Sequence, residues 1–202
     1  GSFDILAELG RTRAPGGPLL VGFAAETTAI EDYARRKLVE LEGGGWGGSV
    51  SEDGKRMALS KYISANESQL WVMELEGEQA GKPVQLLPKP GSSEAKAVYF
   101  GSFLPDSRTL LVATDRFGEF RELTVLDAKT QELQRITAHI PWDISGGDVS
   151  ADGRTLVLQA NADGRDEMHW VDTRSWKELP LPKVAAGSVG STRFHPSLPL
   201  LA

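Results

Sequence analysis

The sequence predicts a mainly β fold: about three and a half four-stranded units, preceded by one β-α unit. Three observations carry this. Short polar turns recur at Ser51-Glu52-Asp53-Gly54-Lys55, Leu104-Pro105-Asp106-Ser107-Arg108 and Ser150-Ala151-Asp152-Gly153-Arg154, their aspartates 53 and then 46 residues apart. Each turn sits among β-patterned runs that repeat in the same order. Residues before about Leu41 break that pattern, with a continuous apolar run and then a helical period.

In chain order, Gly17-Pro18 punctuates the sequence, and Leu19-Leu20-Val21-Gly22-Phe23 reads as a strand over 19–24 buried on both faces. Thr28-Ala29-Ile30-Glu31 has the form of a capping box. Ile30, Tyr33, Ala34, Leu38 and Leu41 then recur at helical spacing, predicting a helix over 28–41 that Gly43 ends. A β-α unit belongs to α/β sheets. The segment 1–41 is therefore expected to stand apart from 42–202.

The repeats follow. The first unit, about 44–88, has its turn, then Arg56–Ser60, Leu70–Leu75 and Val84–Leu87. The second, about 96–138, runs through Val98–Phe103, Thr109–Ala113, Leu123–Asp127 and Leu133–Ile136. The third, about 144–182, contains Thr155–Gln159 and Met168–Asp172. A fourth begins at 189–202 with a degraded turn, His195-Pro196-Ser197-Leu198. Four short strands per unit at this spacing are the signature of β-propeller blades. Asp-Gly supplies the positive φ of a two-residue hairpin. Trp71, Trp170 and Tyr99 fall at strand positions and read as packing between blades.

A ring needs at least about four blades, so three and a half leave it incomplete. The chain stops inside a repeat at Leu200-Leu201-Ala202. Unpaired blade edges attract partners. The expectation is self-association through those edges, with the helix of 28–41 packed on an open blade.

The net charge of −6 and the lack of a basic stripe argue against a nucleic-acid partner. Arg35-Arg36-Lys37 alternates with acids on the predicted helix and reads as a solvated face. No apolar run approaches the ~20 residues of a membrane span. There are no cysteines, which suits cytosol and periplasm alike, the cytoplasm slightly the better fit. Gly1-Ser2 resembles a cloning scar, so a leader could have been removed.

Several phrases carry family resemblance. Gly43-Gly44-Gly45-Trp46-Gly47, "KYISANESQLWVMEL" at 61–75, "TDRFGEFRELTVLD" at 114–127, "IPWDIS" at 140–145 and "SADGRTLVLQANADG" at 150–164 occur in order. Together they make residues 42–202 similar to the N-terminal β-propeller of the prolyl oligopeptidase family of serine peptidases. That resemblance implies a propeller capping an α/β-hydrolase domain and limiting access to its active site, with peptide or the hydrolase domain as partner. "DILAELG" followed by "GPLLVGFAAETTAIEDYARRKL" resembles instead a late β-α segment of bacterial phosphopantothenoylcysteine synthetase, a CTP-dependent ligase. This second resemblance implies a vestigial nucleotide contact at Phe23 and Lys37. The family's next lysine falls on Leu41 and its Ala-Asn-Asp motif is missing. Together the two imply a chimera joined near Leu41.

Chemistry within the chain is sparse. No Gly-x-Ser-x-Gly nucleophile elbow occurs, and "GSVGS" at 187–191 has its glycines elsewhere. His139, His169 and His195 have no metal-ligand spacing. Ser93-Glu94-Ala95-Lys96 lies beside Pro90-Gly91 rather than on a helix, and Asn66-Glu67-Ser68 falls at a hairpin. Neither is read as a site. The loop Asp115-Arg116-Phe117-Gly118-Glu119-Phe120 is the candidate peptide contact, through Arg116 and Glu119; the alternative pairs Glu119 with Arg116 or Arg121 and packs Phe117 or Phe120 between blades. No catalytic residue, metal or cofactor is expected. The expected function is that of a non-catalytic substrate-gating or scaffold propeller, with a stand-alone peptide- or protein-binding scaffold as the alternative and residual CTP binding third.

Overall fold

The structure is a computed structural model. It describes residues 2–10, 33–42, 45–93, 97–127, 130–181, 189–195, 197–198 and 200–202, and every regular element among them is a strand. β1 (Ser2–Gly10) and β2 (Tyr33–Glu42) pair antiparallel, placing Phe3 opposite Leu41 and Ile5 opposite Val39. Three four-stranded antiparallel sheets follow, each in simple up-and-down order. The first holds β3 (Trp46–Val50), β4 (Arg56–Ser64), β5 (Glu67–Glu74) and β6 (Val84–Leu87). The second holds β7 (Tyr99–Phe103), β8 (Thr109–Thr114), β9 (Glu122–Asp127) and β10 (Leu133–Arg135). The third holds β11 (Ile144–Val149), β12 (Thr155–Ala162), β13 (Arg165–Asp172) and β14 (Lys177–Leu179). A bridge between Phe194 and Leu201 begins another hairpin. The sheets stack as blades of an open, partial propeller.

The stacking explains the unbroken apolar runs of the second strands. Ala58, Leu70 and Val72 of the first blade pack against Tyr99, Leu110, Val112 and Leu126 of the second. The opposite face of the second blade, with Leu111, Leu123 and Val125, meets Leu156, Leu158, Ala160 and Val171 of the third. Successive residues along β4, β8 and β12 thus serve opposite interfaces, and alternation disappears. The outer face of the first blade, Met57, Leu59 and Met73, is covered by Val39 and Leu41 of β2, with Trp46 and Trp71 at its margin.

This corrects the sequence reading of 28–41. Residues 33–42 form a strand rather than the second half of a helix. The predicted strand at 19–24 and the helix start at 28–32 lie outside the described residues. The cause is tertiary: β1 supplies a hydrogen-bonding partner, and Val39 and Leu41, two apart, both bury on the open blade face. Period-two burial overrides a helical period of similar strength.

The repeated turns also differ from the expected two-residue hairpin. Ser51 N–H donates to the Arg56 carbonyl at 2.8 Å and Gly54 N–H to the Ser51 carbonyl at 2.9 Å, so four residues close the loop. The third turn repeats both bonds between Ser150 and Thr155 and between Gly153 and Ser150. The Asp53 carboxylate accepts from Ser51 Oγ at 2.6 Å and from Lys55 N–H at 3.0 Å. Asp152 does the same with Ser150 Oγ at 2.7 Å and Arg154 N–H at 3.0 Å. The serine hydroxyls foremost hold both carboxyls below the usual aspartate range. Burial pushes Asp106 up, but bonds from Thr109 and Arg108 outweigh it and leave that carboxyl lowered too. Gly54 and Gly153 take φ of 71° and 70°; in the second turn the same place is filled by Ser107 at 57°. Ser107 remains there because its Oγ accepts Asp53 N–H of the neighbouring blade at 2.9 Å, while its carbonyl accepts from Arg56 Nη2.

A second clasp ties the linker after β10 to the outer edge of the third blade. His139 Nε2 and His169 Nδ1 lie 3.0 and 2.9 Å from the same oxygen, Oε1 of Glu178. The His139 contact foremost, helped by His169 and opposed by partial burial, lowers the Glu178 carboxyl below its ordinary 4.5.

Two predictions follow from these contacts. Ser107→Ala removes an inter-blade acceptor and keeps a non-glycine residue at positive φ, costing about 1–2 kcal/mol. Ser107→Gly loses the same bond but relieves about 1 kcal/mol of backbone strain. Urea denaturation is expected to rank wild type above S107G and S107G above S107A; the reverse order of the two variants would refute the account. Glu178 has a lowered folded pKa, so its contribution is present above about pH 4.5 and is lost as pH falls through the folded value. With Glu178 46% exposed, solvent screening limits that contribution to about 0.5–1 kcal/mol. The advantage of wild type over Glu178→Gln is expected to shrink as pH falls below about 4.5, read from denaturation midpoints at each pH; a constant difference would show that the clasp does not titrate with folding.

Candidate functional site

The first strands of the three blades, β3, β7 and β11, converge on one cavity of about 580 Å³. Ser49, Ser102 and Asp148 line it, each two residues before its blade's turn. Leu111, Leu123, Leu156 and Leu158 form an apolar wall between the second and third blades, and Gly146, Gly147 and Arg193 complete the rim. Glycine keeps β11 close to its neighbour: a Cβ on Gly147 would stand 2.5 Å from the Val157 carbonyl oxygen, a main-chain atom with no room to yield. The Asp148 carboxylate accepts Phe194 N–H at 2.7 Å, fixing the segment after the third blade to the cavity rim.

A second cavity of about 320 Å³ lies among the loops at one end of the array. Tyr62, Ala65, Val98, Phe100, Asp115, Glu119, Arg121 and Asp143 line it, and Phe100 and Arg121 also line the larger cavity. Tyr62 and Phe100 are 52% and 43% exposed. Asp143 accepts from Arg121 N–H at 2.6 Å and from its Nη2 at 3.4 Å. Asp115 Oδ1 accepts Val98 N–H at 2.8 Å. Two of the three carboxylates are therefore committed to holding the loops together.

Inter-blade bonds at the start of each third strand position these walls. Ser68 Oγ accepts Tyr99 N–H at 2.7 Å and donates to the Tyr99 carbonyl at 3.1 Å. Ile144 N–H donates to the Arg121 carbonyl at 2.9 Å. Val189 N–H donates to Asp166 Oδ2 at 2.7 Å. The same corner of each blade thus anchors the start of the next segment.

The sequence-chosen residues are dispersed. Glu119 lines the smaller cavity, and the described partner of Arg121 is Asp143. The guanidinium of Arg116 lies 5.8 Å from the ring centroid of Phe117, and that of Arg135, ion-paired to Glu122, lies 4.8 Å from it. Phe120 packs against Trp142 with ring centroids 5.9 Å apart. Lys37 sits on β2 opposite Leu6, and Phe23 lies outside the described residues. His139 and His169 meet at Glu178, while His195 Nδ1 accepts from Ser197 and Leu198 N–H within its own turn. Phe100, Ser102 and Gly146–Asp148 escaped the sequence reading; the one available signal was their fixed offset before each turn.

With this geometry in hand, the likenesses to known proteins fall into two parts. A family profile described as the C-terminal domain of the DNA/pantothenate metabolism flavoprotein matches residues 2–42. No curated protein matches the sequence. Among solved structures, prolyl oligopeptidase B from Galerina marginata, bound to a 25mer macrocyclization substrate, superposes with TM-score 0.61 at 15% identity over 96% of this chain and 28% of its own. TolB from Acinetobacter baumannii gives TM-score 0.52 at 20% identity, over 70% of this chain and 33% of its own. A puromycin-hydrolyzing peptidase from Mycobacterium tuberculosis gives 0.55 at 13%, over 72% and 23%. The chain spans about a third or less of the length of each of these. At such identities what is shared is the propeller fold, preceded here by the segment that matches the flavoprotein C-terminal domain profile.

Proposed function

We propose that this chain is a non-catalytic propeller module of a prolyl oligopeptidase-like serine peptidase, whose blades receive peptide on its way to a catalytic centre elsewhere. The observation that carries the reading is the 580 Å³ cavity walled by the first strands of all three blades. Its volume suits a few amino-acid side chains, and its apolar wall stands beside polar groups such as Ser49, Ser102, Asp148 and Arg193 that could orient a ligand. In this reading residues 2–42 come from a different source and are joined near Leu41. The profile match ends at residue 42 and the first blade begins at Trp46, which supports a recombined or engineered chimera. The alternative, a stand-alone peptide- or protein-binding scaffold, uses the same cavity. Residual CTP binding is least favoured, since Lys37 is strand-borne rather than helix-borne.

The open array also supports self-association. Leu198 and Leu200 are 52% and 57% exposed on the segment that follows the third blade, and contiguous exposed apolar groups favour a partner.

Titration of fluorescent peptides into the protein is expected to give saturable binding with no cleavage product and no turnover of peptidyl chromogenic substrates. Turnover that survives purification controls would overthrow the non-catalytic reading, and flat titrations would remove peptide binding. Sedimentation at micromolar concentration is expected to show dimers or larger species; a compact monomer would dispose of association.

A further inference from the structure

We infer that Asp163 is a site of spontaneous covalent modification, where the main-chain amide of Gly164 closes on the aspartyl side chain and converts the linkage to isoaspartate. The sequence holds Asp-Gly at 53–54, 152–153 and 163–164, each followed by Lys or Arg. Their surroundings in the sequence, Ser-Glu-Asp-Gly-Lys, Ser-Ala-Asp-Gly-Arg and Asn-Ala-Asp-Gly-Arg, give the pairs nearly the same intrinsic reactivity. What separates them is the fold.

The reaction needs a protonated carboxyl, a free glycine amide and room for the one to swing onto the other. The Gly164 nitrogen attacks Asp163 Cγ, a C–N bond forms, and the amide hydrogen leaves with the carboxyl hydroxyl as water. The five-membered succinimide that results then takes up one water. Where that water breaks the original bond between the Asp163 carbonyl carbon and the Gly164 nitrogen, the main chain runs on through Cγ. One water leaves and one returns, so no other reactant is required. Glycine favours the closure because no Cβ crowds the attacking nitrogen.

At the first two pairs each requirement is opposed. Ser51 Oγ and Lys55 N–H pin Asp53 Oδ1, and Ser150 Oγ and Arg154 N–H pin Asp152 Oδ1. The serine hydroxyls foremost keep both carboxyls below the usual aspartate range, and an ionised carboxylate offers the amide no hydroxyl to expel. The Gly54 and Gly153 amides donate to the main-chain carbonyls of Ser51 and Ser150 at 2.9 and 2.7 Å, inside the same closed loops.

Asp163 and Gly164 instead form the two-residue turn between β12 and β13, with Ala162 paired to Arg165. Both take positive φ, 51° and 79°, as a tight hairpin of this kind requires. Asp163 is exposed, and among the described residues nothing hydrogen-bonds its carboxylate. The Gly164 amide donates at 3.1 Å to Asn161 Oδ1, which belongs to an exposed side chain that can rotate away. The carboxylate clamp is missing here, and the hold on the amide is a side chain rather than the loop itself. An isoaspartyl linkage adds one carbon to the main chain, which a two-residue turn cannot absorb without shifting the pairing of Ala162 and Arg165. Asp166, whose Oδ2 accepts Val189 N–H at 2.7 Å, follows directly in the same hairpin. Modification at the tip therefore reaches the anchor of the segment after the third blade.

The test ages the whole folded protein for several weeks in warm, mildly acidic buffer and then digests it with trypsin. The three pairs fall in separate peptides, 38–55, 136–154 and 155–165, and isoaspartate appears in each as a second chromatographic peak of unchanged mass. Residue 163 is expected to carry at least about tenfold more isoaspartate than 53 or 152, since each of those must first give up two hydrogen bonds. The same ageing in guanidinium chloride should bring the three sites within about twofold of one another. Ser150→Ala removes one clamp and is expected to raise isoaspartate at 152 about threefold or more while leaving 163 unchanged, with thermal denaturation checking that the variant folds. Equal conversion at the three sites of the folded protein, or an excess at 53 or 152, would overturn the inference. So would a residue 163 that stays intact over a period in which the denatured chain converts.

Discussion

Every blade of this chain is apolar on both faces, and that single constraint organises the molecule. A sheet of this kind is stable only between two covers. The second blade has them in its neighbours. The first has the second blade on one side and β2 on the other, where Val39 and Leu41 occupy the place a preceding blade would fill. Exposing a large apolar side chain such as Leu59 or Met73 costs about 1.5–3 kcal/mol each. The cover is therefore an energetic necessity, and it explains why a segment with a helical sequence period is drawn out as a strand.

Where the faces of the first and second blades are covered in this way, what remains free is the row of first strands. Their spacing is set by the corner bonds at Ser68, Arg121 and Asp166, which use a hydroxyl, a main-chain carbonyl and a carboxylate for the same task. Because the position is constant while the chemistry drifts, these corners act as geometry rather than as sites. They hold β3, β7 and β11 around the cavity, and the turns at Asp53, Asp106 and Asp152 hold the other end. A ligand site built this way changes character with the few side chains on the inner strands, leaving the blade framework as it is.

How much of this was legible follows from range. The repeat showed in the sequence because its signals are local: an aspartate bonding amides within its own turn, and runs whose lack of alternation records two buried faces. The fate of residues 33–42 was not legible, since the helical period of Tyr33, Leu38 and Leu41 and the strand pair Val39 and Leu41 are read from the same residues. Only the presence of β1 and of an uncovered blade face decides between them. The cavity was illegible because Phe100, Gly147 and Arg193 meet through packing across three blades. Likewise no spacing rule joins His139 to His169, which a shared carboxylate brings together.

The seam itself shows how two segments of different resemblance become one structural unit. Trp46, the first residue of β3, donates its indole N–H to the Glu42 carbonyl at 3.2 Å. Its ring meets Trp71 of the same blade edge-on, centroids 6.0 Å apart, and carries Lys61 over its face. Gly45, at φ 76°, turns the chain so that its carbonyl accepts Tyr62 N–H at 2.8 Å. A Cβ there would already lie 3.2 Å from Tyr62 Cβ, so the close approach requires glycine. The last residue of β2 is thus tied to the first blade by a side chain of that blade, four residues after the family match ends. Tyr62 is also a wall of the smaller cavity. The joint between the segments and the wall of the smaller cavity are consequently built on the same tyrosine, whose backbone N–H holds Gly45 and which also lines the cavity.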